Sequence, residues 1–142
     1  MAFRQLQLVI KLSRERRDTA AQVLANAQAN LDSALGQLAQ LQQYQEDYER
    51  QALSAAGSGI SAQKLLTARQ FVGQLDSVIA TQRNTVGTRE DDVERCRRNW
   101  LEITRYTSAV EKLLALKLKE QQVSLNKREQ QLIEDIYNQR HF

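Results

Sequence analysis

"SAAGSGIS", residues 54–61, is where the chain changes character. Gly57 and Gly59 stand there among small residues, while about 50 residues before and about 80 after hold no comparable cluster of breakers. The sequence contains no proline and only five glycines, so few positions force the backbone out of a helix. The segment therefore reads as a turn, at about 55–60, between helices over about 3–54 and about 61–138. Ser61 is placed to cap the second helix, with Lys64 where a capping box would carry Glu.

Both helices carry a seam. Leu24, Ala27, Leu31, Ala34, Leu38, Leu41 and Tyr48 recur at alternating three- and four-residue spacing, with Gln45 as a polar gap. Beyond the turn the same spacing runs through Leu75, Ile79, Gln82, Val86, Arg89, Val93, Cys96, Trp100, Ile103, Thr107, Val110 and Leu114. A short loop makes two such helices antiparallel neighbours. With the turn centred on Gly57, facing residues have numbers summing to roughly 114–117, which sets Leu41 near Leu75, Leu24 near Val93 and Tyr44 beside Phe71. At 1.5 Å per residue the paired part is about 75 Å long, and up to about 40 Å of the second helix extends past residue 112. That extension holds Leu118, Leu125 and Leu132 at sevenfold spacing among Lys117, Lys119, Lys127 and Arg128, and needs a partner or frays. The expected fold is all-α: one domain over residues 1–142, a long antiparallel two-helix coiled coil with a longer second helix.

Composition agrees. Hydrophobic residues make up 42% of the 142 but aromatics only 6%, which suits a buried seam better than a large globular interior. A single cysteine excludes an internal disulfide and a cysteine metal cluster. No apolar run reaches the roughly 20 residues of a membrane span. The start, "MAFRQLQLVIKLSRERR", has a charge within its short apolar stretch and no small-residue cleavage site after it. Neither a signal peptide nor an anchor is expected, and the cytoplasm is the expected compartment. The net charge of +3 is unevenly spread. Arg4, Lys11, Arg14, Arg16 and Arg17 outnumber Glu15 and Asp18 over residues 1–18, whereas residues 32–49 carry Asp32, Glu46, Asp47 and Glu49 with no positive charge.

No part of the chain is a candidate for catalysis, metal binding or a cofactor. His141 is penultimate, where termini are mobile, and Cys96 falls on the seam as a small hydrophobe with no histidine to activate it. Glu90, Asp91 and Asp92 lie beside Arg89, Arg95, Arg97 and Arg98 at the spacing of helix salt bridges. Gly57 and Gly59 lack the lysine and hydroxyl residue that complete a phosphate loop. Arg14, Arg16 and Arg17 could meet nucleic acid, but no aromatics interleave with them and no DNA-reading motif surrounds them, so a protein partner is expected instead. A purely structural coiled coil remains the alternative of another class.

"LLTARQFVGQLDSVIATQ", residues 65–82, is apolar over a face too wide for one partner helix. Phe71, Leu75, Val78 and Gln82 form one stripe, and Val72, Leu75, Ile79 and Val86 a second. One of them is left for something outside the hairpin.

The stretch "QLAQLQQYQEDYERQALSAAGSGISAQKLLTARQFVGQLDSVIATQ", residues 37–82, resembles the middle of the flagellar type III export protein family FliJ, with its tyrosines four apart, its "GIS" turn and its phenylalanine-leucine stripe. "RRNWLEITRYTSAVEKL" and "NKREQQLIEDI" are similar to that family's second helix, although Ile133, Glu134 and Asp135 stand where the family often has Leu-Asp-Glu. The virulence-type YscO relatives share such a hairpin. The resemblance implies a non-enzymatic hairpin similar to the central stalk of rotary ATPases, cytoplasmic and at the inner face of the membrane when assembled. It implies a hexameric export ATPase (FliI-like), an export-gate component (FlhA-like) and escort chaperones as partners, with membrane association only through them. By motif, the gate contact maps onto Phe71, Leu75, Val78 and Gln82, and the adjacent stripe onto Gln37, Leu41, Tyr44 and Tyr48. The ATPase-ring contact is expected at Lys11, Arg14, Arg16, Arg17, Lys127 and Arg128, where positive charge collects at the open end.

Overall fold

The computed structural model describes residues 2–57, 59 and 62–140. Among these there is no strand, and two helices account for nearly all of them: α1, Ala2–Gly57, and α2, Ala62–Arg140. The fold is the expected two-helix hairpin coiled coil with the longer helix second. α1 continues through Gly57 instead of ending near residue 54, because a single glycine at a helix end costs only about 1 kcal/mol and the preceding alanines favour helix. Between the two helices Gly59 has a φ of +81°, in the left-handed region where a Cβ would be strained. Ser61, the expected cap, and His141 lie outside the described residues.

The contacts fall into two units, Ala21–Asn99 and a second made of Met1–Ala20 with Trp100–Phe142. In the first, Ala27 and Ala34 of α1 and Leu75, Ile79, Val86 and Val93 of α2 are buried. Leu24, Leu31, Leu38, Leu41, Gln45, Gln82, Arg89 and Cys96 are half-buried beside them. In the second unit the buried residues are Ile10, Ser13 and Ala20 of α1 with Thr107 and Val110 of α2. Phe3, Leu6, Arg17, Trp100, Ile103 and Leu114 flank them, half-buried. Every one of these sits on the alternating three- and four-residue pattern, so burial follows the seam and little else.

The register differs from the sequence expectation. Ser13 and Thr107, 4% and 1% exposed, face each other across the seam with their hydroxyl oxygens 2.5 Å apart. Thr107 also donates to the Ile103 carbonyl at 2.8 Å, which leaves its oxygen to accept the Ser13 proton. Facing residues therefore have numbers that sum to about 120, not 114–117. The later end of α1 is the cause, since it moves the centre of the turn from residue 57 toward residue 60. Within residues 21–99 the pairs Tyr48 with Phe71 and Gln45 with Asp76 have numbers near the same sum, which sets Leu41 opposite Ile79 instead of Leu75 and Leu24 opposite Cys96 instead of Val93. Ala20, Ala27 and Ala34 fall opposite Trp100, Val93 and Val86, a small residue against a large one in each layer.

Candidate interaction surfaces

The unit of residues 21–99 carries the first candidate. Phe71 and Val78, seven apart, point outward at 40% and 48% exposure, while Leu75 and Gln82, also seven apart, belong to the seam. The four residues of the expected gate stripe are thus split between two faces. Gln82 turns its amide inward, donating to the Ala34 carbonyl at 2.9 Å and to Gln37 Oε1 at 3.2 Å. Gln45 does the same one step nearer the turn, donating to the Val72 carbonyl at 3.5 Å and to the Asp76 carboxylate. Both seam glutamines are satisfied by the opposite helix, so the polar gaps in the apolar pattern bind the helices together.

Phe71 does not meet Tyr44. Its ring lies 4.6 Å from that of Tyr48, tilted by 45°, a favourable aromatic geometry. The shifted register moves the contact one helical turn along α1. Tyr44 stays half exposed and its hydroxyl accepts a bond from Gln40 Nε2 at 3.4 Å. The side patch therefore consists of Tyr48, Phe71 and Val78, with Tyr44 beside it, Gln37 at its edge and Leu41 half-buried beneath.

The unit containing both termini carries the expected basic residues, but not as one cluster. Arg14 Nε bonds Glu111 Oε1 at 2.8 Å, and Arg17, on the seam, pairs with Asp18 at 3.6 Å. An open groove of about 480 Å³ runs beside them and is lined by Lys11 and Arg14 together with Glu15, Asp18 and Glu111, so positive charge there is offset by three carboxylates. Arg16 is exposed. Lys127 and Arg128 are exposed too, but lie on α2 some 16 residues past Glu111, about 24 Å along the helix.

The third surface was legible only in part. From Leu118 to Arg140 every residue is exposed, because α1 has no residues left to face them. Leu118, Leu125, Leu132, Ile133 and Ile136 are among the large apolar side chains left open.

Among the described residues no group of three or more His, Cys, Asp or Glu is placed to hold a metal ion, and no helix is long and apolar enough to cross a membrane. Cys96 is a free, half-buried thiol at the seam. The charged side chains of α2 engage one another as the spacing requires, Arg98 with Glu94 at 3.2 Å and Arg89 with Asp92 at 3.4 Å, Arg95 joining Asp92 as well.

A two-helix coiled coil with an outward aromatic patch and an uncovered helix end defines a protein whose surfaces suit other proteins. The family model described as Flagellar FliJ protein matches residues 1–142, and the chain belongs to that family. It is accordingly a component of the flagellar export apparatus, and the family is a structural and export component rather than a known enzyme. No curated protein and no solved structure matches the chain.

Proposed function

We propose that this protein is the central stalk of a hexameric FliI-like export ATPase and couples that ring to an FlhA-like export gate and to escort chaperones. The observation that carries the reading is the stretch of α2 from Leu118 to Arg140, helical and exposed on all sides, which offers a ring a single helix to enclose. Lys127 and Arg128 on that stretch, and Lys11 and Arg16 on α1, supply long flexible cations able to make interchangeable contacts with successive acidic subunit loops. Arg14 and Arg17 contribute after leaving Glu111 and Asp18, exchanges that cost little at a solvated surface. The gate is met by Phe71 and Val78, with Tyr48 and Tyr44 alongside, while Leu75 and Gln82 hold the helix that presents them. Work of this kind places the protein in the cytoplasm at the inner face of the membrane, held there by its partners.

The test is ATP hydrolysis by the cognate export ATPase with added protein. Reversing Lys127 and Arg128 to Glu should remove the stimulation and leave gate binding intact, whereas Phe71→Ala with Val78→Ala should weaken gate binding and leave the stimulation. Stimulation by the wild type should fall as salt rises. Undiminished stimulation by the Lys127→Glu, Arg128→Glu variant would contradict the ring contact.

A further inference from the structure

The apolar seam alone does not single out one register. Its positions repeat every seven residues, so moving α2 by one heptad against α1 again sets seam position against seam position. With facing numbers that sum to about 113, Leu38 meets Leu75, Leu41 meets Val72, Ala34 meets Ile79 and Ala27 meets Val86. The layers of small against large survive, and Leu38 exchanges Gln82 for a leucine. Arg89 passes from Leu31 to Leu24, an even exchange. In the unit of both termini, Ile10 meets Ile103 and Phe3 meets Val110.

The glycines give the slide a direction. Gly59, with its φ of +81°, stands near the centre of the observed turn, whereas the shifted register centres the turn beside Gly57, which also enters the left-handed region without strain. A slide the other way would centre the turn near Gln63 and Lys64, inside α2, where no glycine stands, and would set Ile10 against Lys117.

What holds the observed register is polar. Ser13 with Thr107, Arg14 with Glu111, Gln45 with Asp76, and Gln82 with Gln37 and the Ala34 carbonyl are contacts between the helices that a heptad shift breaks. Ser13 would come to Trp100, Thr107 to Leu6 and Asp76 to Leu38. Of the four contacts only the hydroxyl pair is buried on both sides, and a buried polar pair on a seam is a means of selecting register. Each helix runs unbroken through both units, so a shift made in one is carried into the other.

We propose that the hairpin has a second register one heptad away, about 10 Å along the helices, and that the Ser13–Thr107 pair is the lock on the first. The slide carries Phe71 from Tyr48 to Leu41 and Glu111 from Arg14 to Gln7. One movement therefore remodels the side patch and frees a guanidinium at the basic end. This rests on the stalk reading only for its use; the slide is measured with the protein alone, so the failure of either is seen separately.

The experiment is disulfide trapping in the purified full chain carrying Cys96→Ser. Leu41→Cys with Ile79→Cys reports the observed register, and Leu41→Cys with Val72→Cys the shifted one. In either register the other pair is about 10 Å out of step, beyond the reach of a disulfide. The first pair should close fast and the second more slowly, each within one chain on a non-reducing gel. Adding Ser13→Ala and Thr107→Val should speed closure of the second pair at least about tenfold, with helix content by circular dichroism unchanged. Leu41→Cys with Ala68→Cys controls for general unfolding, because its shorter loop closes more readily in an unfolded chain yet the two positions meet in neither register. The proposal is overturned if the Leu41→Cys, Val72→Cys pair closes in neither background, closes no faster than the Ala68→Cys control, or is indifferent to loss of the hydroxyls.

Discussion

Residues 75–110 and residues 118–140 belong to one uninterrupted helix, and both place leucine, isoleucine or valine at helical spacing among charged residues. In the first, Leu75, Ile79, Val86, Val93 and Val110 are buried; in the second, every residue is exposed. Helix propensity therefore does not distinguish them. What does is whether α1 faces them in register, and, past Leu114, a rotation of the apolar stripe away from the side on which α1 lies. The first region owes its stability to tertiary cover, while the second has only the intrinsic stability of a single helix, which is marginal at such lengths.

The largest effect should come from placing charge in the covered region. Ile79 is 4% exposed, and Ile79→Asp should cost about 4 kcal/mol or more, read as a large fall in thermal midpoint, because the carboxylate finds no partner across from Leu41. Leu132→Asp in the open region should change the stability of the monomer by less than about 0.5 kcal/mol. Equal losses would erase the distinction between the regions.

A smaller effect is expected at the buried hydroxyl pair. Thr107→Val strands the Ser13 hydroxyl and should cost about 1–3 kcal/mol, whereas the double change Ser13→Ala with Thr107→Val should be nearly neutral. Thermal unfolding of the three variants checks this, and an additive double variant would show that the hydroxyls do not act together. Arg14→Ala should lower stability by no more than about 1 kcal/mol, by an amount that shrinks as salt rises, because the Arg14–Glu111 pair is substantially solvated. The smallest change should be a gain. Thr104 Oγ1 is buried without a hydrogen-bond partner, and Thr104→Val should stabilise the fold by up to about 1 kcal/mol.

The hairpin and both seams were legible because a sevenfold pattern states which face of a helix is buried. The same pattern is nearly silent on register. Leu41 can face Leu75 or Ile79 with equal plausibility, since either contact is aliphatic, and the choice then rests on where the turn is centred. Gly57 misled that choice by standing inside the last turn of α1. The signal that could have corrected it was polar: Ser13 and Thr107 both occupy seam positions, and two buried hydroxyls need each other. The outward positions of Phe71 and Val78 were legible in their sevenfold spacing, but the ring that meets Phe71 is that of Tyr48, one turn from Tyr44, for the same reason. Among the basic residues, nothing in the sequence says that Arg14 is held by Glu111, 97 positions away.

Hydrogen exchange of the isolated monomer, followed amide by amide at a concentration too low for association, tests the contrast most directly. Amides of α2 between Leu75 and Val110 should exchange at least about a hundredfold more slowly than those between Gln121 and Arg140, with the change falling near Leu114–Leu118. Protection that continues undiminished to Arg140 in the monomer would contradict the account, because it would mean that the end of α2 is covered by its own chain.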